Sequence, residues 1–355
     1  MEQKIHVTIR DIARQAQVSP ATVTRVLSDN GYPVRQEVRR KVLETARTLQ
    51  YTPAAKRDRR EITHRQDIGL LIPNISNPFY QQASLGAQVE CQKNGSLVIL
   101  CNTFRSKERE REYLHALFDK NIRGVVLSAS SMEPDNLTAS LSEYTMKGMH
   151  IVMLDQLTTE ESICTNINFD NASGAALAVQ HFLGKGHKKI AFCSTPLTRW
   201  SRKNLYQGFT DTLLQNRIEL PGDYLLIDGE ETELAESGYE FQSGLKMADE
   251  FVHRGLDATA LLVVNDMMAI GVVKGLQNHK IRVPEDVSVI GFDNIPFSEM
   301  FTPALTTIHC PAFEIGRLAA QLLIDQMTSG EQHPLSIKLQ PKLIRRDSVR
   351  DLTRL

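Results

Sequence analysis

The chain has 355 residues, 41% hydrophobic and 23% charged, with a formal net charge of −1. That length suits two or three domains, the composition excludes a disordered chain, a collagen-like repeat and a disulfide-stapled mini-protein, and no apolar run approaches the ~18 residues of a membrane span. The start of the chain carries Arg10, Asp11 and Arg14 without the apolar segment of a signal peptide, and the five cysteines (Cys91, Cys101, Cys164, Cys193, Cys310) form no CxxC pair, so the expectation is a cytoplasmic protein with reduced, mostly buried thiols.

Charge is unevenly spread. Residues 1–66 hold 14 Lys and Arg against 7 Asp and Glu, whereas the other 289 residues hold 27 against 35. A basic segment on an acidic body fits either a nucleic-acid-binding head or a solvated terminus. The pattern inside the segment separates the two. Ile9, Ile12, Ala13 and Ala16 make one apolar stripe of a helix, and Thr8 with Asp11 reads as its capping box. Gln17-Val18-Ser19 breaks the stripe. Ser19-Pro20 starts a second helix, with Val23, Val26 and Leu27 on its buried side and Asp29-Asn30-Gly31 at its end. A third runs from about Gln36 to Leu49, burying Val38, Val42, Ala46 and Leu49. Two short helices across a three-residue turn, then a supporting third, predict a helix-turn-helix. Pro20, Ala21 and Arg25 of the second helix then face base edges, and Arg25 can donate twice to guanine. Arg10, Thr22 and Thr24 are placed for phosphates, which position without specifying.

From Asp67 onward, apolar runs alternate with amphipathic stretches. Candidate strands are Ile68–Ile72, Leu97–Leu100, Gly124–Leu127, Ile151–Leu154, Ile190–Cys193, Leu261–Val264 and Val287–Ile290. This βαβ alternation predicts two helix-covered parallel sheets. Ligands of such sheets bind beyond the carboxyl ends of the strands. There stand Phe79 and Tyr80, two aromatics at a helix start, and Asp155, Asn265 and Asp293, whose carboxylates and amide suit a hydroxyl-rich ligand. Asp170 and Asp266 read as helix N-caps.

The runs Thr8-Ile9-Arg10-Asp11-Ile12-Ala13 and Val18-Ser19-Pro20-Ala21-Thr22-Val23-Thr24-Arg25-Val26-Leu27 resemble the head of the lactose-repressor/galactose-repressor (LacI/GalR) family. Gly31-Tyr32-Pro33-Val34-Arg35 and Leu49-Gln50-Tyr51-Thr52-Pro53 extend the resemblance, which continues nearly to the C-terminus. It implies an all-α helix-turn-helix head (1–52), a hinge (53–66) and an α/β core resembling periplasmic sugar-binding proteins (67–355). The core would comprise an N-subdomain of about 67–165 and 310–338 and a C-subdomain of about 166–307 and 342–355, with Thr302–Ile308 matching the crossover. Arg346-Asp347-Ser348 matches the closing motif. The implied DNA-binding set is Thr8, Arg10, Ser19, Pro20, Ala21, Thr22, Thr24 and Arg25, extended by Arg57 and Arg60. By motif match Phe79, Asp155, Asn265 and Asp293 take effector-pocket places.

Two departures stand out. The family hinge Pro-Asn-x-x-Ala-x-x-Leu is here Pro53-Ala54-Ala55-Lys56-Arg57-Asp58-Arg59-Arg60, so an arginine stands where the family has its minor-groove wedge. This predicts weaker DNA kinking and stronger salt dependence. The pocket motif Arg-x-x-Gly-Phe is Leu205-Tyr206-Gln207-Gly208-Phe209. Arg199 or Arg202, flanking Trp200, would supply the missing charge and suit a carboxylate or phosphate, unless both are surface residues beside a pocket for a neutral sugar.

No Walker-A run, nucleophile elbow or zincin motif occurs, and the ten histidines are dispersed. The expectation is a non-enzymatic, cofactor-free repressor in the bacterial cytoplasm, associated with the nucleoid. It would bind double-stranded operator DNA as a homodimer, and a sugar, sugar acid or sugar phosphate would control it. Because no leucine heptad follows Arg346, a dimer is expected rather than a tetramer. The alternatives are a ligand-responsive activator, a ligand-binding module with weakened DNA reading, or an α/β enzyme with a basic accessory head.

Overall fold

The computed structural model describes residues 8–28, 34–49, 51, 66–128, 141–155, 163–228, 238–330 and 334–354. The hinge candidates Arg57 and Arg60, and the turn at Asp29-Asn30-Gly31, lie outside them. The chain divides into two units, Met1–Arg65 and Gln66–Leu355.

The first unit is helical: α1 (Ile9–Ala16), α2 (Pro20–Ser28) and α3 (Gln36–Thr48). The capping box forms as predicted. Asp11 N donates to Thr8 Oγ1 (3.4 Å) and Thr8 N donates to Asp11 Oδ2 (2.9 Å). Gln17 ends α1 in the left-handed region (φ 53°), and Ser19 Oγ caps α2 by accepting from Thr22 N (3.1 Å). Ile12, Ala13, Ala16, Val23, Val26, Val42 and Ala46 are buried together. At about 1.5–3 kcal/mol for a fully buried Val or Ile side chain, so small a core has little to spare.

The second unit holds two six-stranded sheets. In the first lobe the elements are β1 (Ile68–Ile72), α4 (Pro78–Lys93), β2 (Val98–Asn102), α5 (Lys107–Asp119), β3 (Gly124–Ser128), β4 (His150–Leu154) and β5 (Thr165–Phe169). In the second they are α6 (Asn171–Gly184), β6 (Ile190–Ser194), α7 (Trp200–Gln215), β7 (Leu225–Ile227), α8 (Tyr239–His253), β8 (Ala260–Val263), α9 (Asp266–Asn278), β9 (Ser288–Asp293), α10 (Phe297–Met300) and β10 (Thr306–His309). The chain then returns through α11 (Ala312–Ser329) and β11 (Ser336–Leu339) to the first lobe and ends with β12 (Lys342–Ile344) in the second. Strand orders are β11-β5-β4-β3-β1-β2 and β12-β10-β9-β8-β6-β7. All pairs are parallel except β10 with β12. Each lobe therefore repeats one doubly wound order, with its first strand flanked by its second and third. That reversal is where such sheets bind ligands.

Seven strands stand where the apolar runs place them. Five others were not foreseen: β5, β7, β10, β11 and β12. Two crossings consequently shift. β5 pairs with β4 and β11, so the chain leaves the first lobe after Phe169 rather than after residue 165. Thr306–Ile308, expected within the Thr302–Ile308 crossover, belong to the strand Thr306–His309 of the second sheet, paired with β9, and the return follows it. In the first lobe α4 and α11 approach so closely that a Cβ on Gly86 would strike the Phe313 carbonyl, and one on Gly316 the Ala83 carbonyl. All five cysteines are free and buried. No helix among the described residues is long and apolar enough to cross a membrane.

Candidate DNA-reading face and effector cleft

On the head, Pro20, Ala21, Thr24 and Arg25 are exposed along α2, and Arg10 is exposed on α1. The helix therefore offers one guanidinium, one methyl and one proline ring to a partner. Several hydroxyls of the expected set have structural duties instead. Thr8 donates to Asp11 Oδ2 (2.6 Å), Ser19 Oγ lies 2.9 Å from Thr22 Oγ1, and Thr24 donates to the Pro20 carbonyl (3.0 Å). Thr24 must release that bond before its hydroxyl can donate to a phosphate.

In the core, loops at the carboxyl ends of both sheets enclose a cavity of about 80 Å³. That is room for roughly six waters, so a sugar-sized molecule enters only if the lobes part. From the first lobe come Asn77, Phe79, Tyr80, Arg105, Ser128 and Asp155. From the second come Asn171, Arg199, Ser201, Arg202, Asp293 and Cys310. Phe169 and Phe292, edge to face at 5.8 Å, join the two sheets at its wall. A larger open groove of about 1030 Å³ is lined by second-lobe residues between Gln277 and Ala304, with Asp347. It shares no lining residue with the cleft.

The local chain conformation explains how the polar groups converge. Asn77 caps α4 by accepting from Phe79 N (2.9 Å), which sets Phe79 and Tyr80 on the first turn, edge to face at 5.2 Å. Tyr80 Oη lies 3.5 Å from Ser128 Oγ. The same Asn77 reaches across the lobes and donates from Nδ2 to Glu240 Oε1 on α8 (3.1 Å). Asp155 and Asp293 directly end or follow strands in positive-φ backbone (56° and 105°), a region that aspartate tolerates better than most residues. That turn aims each carboxylate off the sheet end.

Burial dominates the electrostatics. It raises the Asp155 carboxyl above its ordinary range, against hydrogen bonds from Ser201 and Asn171 and the nearby Arg202 charge. It raises Asp293 further, aided by the neighbouring charge of Asp266. It lifts the Tyr80 phenol and lowers Arg202, the latter also through repulsion by Arg199. Arg202 donates from Nε to Thr195 Oγ1 (3.4 Å) and from Nη1 to the Val264 carbonyl (3.2 Å). It stands one turn before Leu205, which is fully buried, so the charge absent from that motif position is presented from the same helix face.

Six of the seven expected effector residues meet at this cavity. The seventh, Asn265, does not line it. Its Oδ1 accepts from Met268 N (2.8 Å) as the N-cap of α9. The expectation that Asp266 caps this helix is corrected with it. Asp266 is the first helical residue, wholly buried, and accepts from Ser298 Oγ (2.6 Å), Thr307 Oγ1 (2.6 Å) and Ile295 N (3.0 Å). Asp170 does cap its helix through Ser173 N (3.1 Å). Sequence reasoning missed Asn77, Arg105, Ser128, Asn171 and Ser201. For Arg105 the only signal was position, in the loop that follows a strand.

Known proteins share both parts. A family model of bacterial regulatory proteins of the lacI family matches residues 8–54, and a periplasmic binding protein-like domain matches residues 179–349. The chain is 30% identical to the HTH-type transcriptional repressor PurR of Vibrio cholerae serotype O1 (strain M66-2), over 98% of this chain and 99% of that one. It is 31% identical to PurR of Edwardsiella ictaluri (strain 93-146) over 97% of each. Among solved structures, the regulator CelR in complex with cellobiose superposes with a TM-score of 0.69 at 25% identity, covering 96% of this chain and 99% of that one. A LacI family regulator of Enterococcus faecium with bound ribose does so with 0.69 at 29%, covering 81% and 99%. The lac repressor dimer bound to operator and the anti-inducer ONPF shares the fold, with a TM-score of 0.71 at 24% identity over 98% and 100%. With this likeness running through head and core alike, the chain belongs to the lacI family of bacterial regulatory proteins.

Proposed function

We propose that this chain is a ligand-responsive transcriptional repressor. As a homodimer it sets two α2 helices into successive major grooves of a palindromic operator, and a small hydroxylated molecule held between the lobes sets its DNA affinity. The observation that carries the reading is the pairing of an exposed α2 face with a cavity of buried polar groups at the strand ends of both lobes. A ligand there acts only through unequal affinity for the DNA-competent and incompetent states. Arg25 is the base-reading residue, and Arg10 positions the head on phosphates. Exposed leucines on α4 and the edge strand β2 support the dimer: Leu85 is 46% and Leu100 44% accessible. The relatives are regulators, and this chain is read as a regulator of DNA in the cytoplasm rather than as an enzyme.

Fluorescence anisotropy of the full-length protein against a randomised palindrome library, at two salt concentrations, tests the reading. The expected result is an enriched palindrome held at the higher salt. Uniform binding that collapses with salt would leave only the electrostatic component and defeat it.

A further inference from the structure

Asn77 donates from Nδ2 to Glu240 Oε1 (3.1 Å), and this bond ties one lobe to the other. Asn77 is the N-cap of α4 in the first lobe, and Glu240 stands in the first turn of α8 in the second. Both are buried, at 7% and 5% exposure. The Asn77 carboxamide is used at both ends. Its Oδ1 accepts from Phe79 N (2.9 Å) while its Nδ2 reaches across the cleft. The turn that carries Phe79 and Tyr80 is therefore fastened to the second lobe through one side chain. The N-cap of α8 is Gly238, which has no side chain to cap with, so the Glu240 carboxylate supplies the negative charge that a helix start favours. The same carboxylate lies within electrostatic reach of Asp293, which it helps to raise, after burial and Asp266.

Other bonds cross between the lobes at Asp155, which accepts from Asn171 Nδ2 (3.3 Å) and from Ser201. Those three residues line the cavity, so a ligand competes for them, whereas Glu240 does not line it. The bond from Asn77 to Glu240 therefore has no rival in the ligand, and water replaces it only when the lobes part. A bond to a charged acceptor is stronger than one between neutral groups. The cavity of about 80 Å³ has to widen before a sugar-sized molecule enters, so each entry breaks the bond and each closure remakes it. We propose that Asn77 and Glu240 form a latch that holds the lobes together before any ligand arrives, with Glu240 a positioning residue that sets the Phe79–Tyr80 turn against the second lobe. The latch rests on the cleft as the place a ligand enters. Without it, the ligand-free protein shifts about tenfold toward the open form.

The test needs no ligand. Trp200, the chain's single tryptophan, is half-buried between Arg199 and Ser201, which line the cleft. Acrylamide quenching of its emission in the full-length protein reads the parting of the lobes, and small-angle scattering reads it independently. Asn77→Asp keeps a capping oxygen for α4 and sets a second carboxylate against Glu240. Glu240→Ala removes the acceptor. Both are expected to raise the quenching constant and widen the pair-distance distribution, Asn77→Asp the more. Glu240→Gln, whose Oε1 still accepts from Asn77, should stay near wild type. Combining Asn77→Asp with Glu240→Gln lets the glutamine amide donate to the introduced carboxylate. The bond then re-forms with its polarity reversed, and both readings should return toward wild type. Glu250→Gln, an exposed position of α8 paired with Arg254, should change neither. Circular dichroism checks the folding of each variant, and Glu240→Ala against Glu240→Gln carries the comparison should Asn77→Asp not fold. Wild-type readings from both Asn77→Asp and Glu240→Ala, a combined variant as open as Asn77→Asp alone, or equal opening by Glu250→Gln and Glu240→Ala would overturn the latch. Operator anisotropy on the same variants separates the latch from the reading beneath it. Lobes that part with operator affinity unchanged sink the control of DNA by the cleft and leave the latch standing.

Discussion

The head and the cleft both depend on arginine, and they use it in opposite surroundings. Arg10 and Arg25 are exposed on short helices, outside the apolar cluster that packs them. Their fields are screened within about 10 Å at ordinary salt. Arg105, Arg199 and Arg202 line a cavity beyond the carboxyl ends of the strands, where burial and the neighbouring Arg199 charge lower Arg202. Surface charge tunes affinity through salt, whereas buried charge is bound up with stability, pH and the position of the lobes. A regulator that couples DNA to a metabolite needs both, one to search and one to respond.

The sharpest break between the two regions is a change that removes one and spares the other. Ile12 is fully buried with six other head residues. Ile12→Asp places an unpaired charge there, and a loss above about 4 kcal/mol exceeds what so small a core can lose. DNA binding should vanish while ligand binding by the core persists in calorimetry. Loss of both would show that the two units do not fold separately.

Next in size is the pH response behind the cleft. Burial raises Asp266 from 3.8 to about 6, outweighing hydrogen bonds from Ser298, Thr307 and the Ile295 and Asn294 amides. The folded carboxyl therefore holds its proton more tightly than the unfolded one. Its stabilising contribution is complete below about pH 4 and lost as pH rises through about 6, a fall of about 3 kcal/mol. Urea unfolding of wild type and Asp266→Asn across that window should show the difference between them shrinking by this amount. A constant difference would mean that the carboxyl is ionised throughout.

Arg25→Ala comes third. Loss of a bidentate base contact should weaken the selected operator by about 1–3 kcal/mol, relax specificity at one base position, and leave head stability unaltered by circular dichroism. Uniform weakening across sequences would reassign Arg25 to the phosphates. Asn77→Ser keeps a capping oxygen for α4 and removes the donor to Glu240. A penalty on the closed lobes of about 1–2 kcal/mol should appear as a wider pair-distance distribution in small-angle scattering, with melting temperature nearly unchanged. The smallest effect belongs to the hinge. Arg60→Leu should reduce the slope of log affinity against log salt by about one and increase DNA bending in gel mobility. An unchanged slope would remove Arg60 from the DNA contacts.

Legibility followed the same division. The head's helices could be read almost in full, because they are local and their caps are adjacent in sequence. In the core, strands built from continuous apolar runs were readable. β5 (Thr165-Asn166-Ile167-Asn168-Phe169) and β10 (Thr306-Thr307-Ile308-His309) were not, because their polar side chains are satisfied by partners distant in sequence, as when Thr307 bonds Asp266. Asn265 and Asp266 show a finer limit. Either can cap a helix, and only the start of α9 decides which one does. Arg105 had no local signature. It joins the cavity lining only because the doubly wound order sets the loop after β2 next to the one after β1, opposite a second sheet wound the same way.

The returning chain also sets the order in which the molecule can be made. The first lobe lacks β11 and α11 until Ala312–Leu339 has left the ribosome, although its β1 emerges near residue 68. The head needs only Ile9–Thr48, so its contacts close early. During synthesis a DNA-reading head is therefore finished long before the lobe that will govern it. For that interval the nascent chain carries a docking unit without its control, and the first lobe is completed only by contacts far apart in sequence, such as those of β11 with β5.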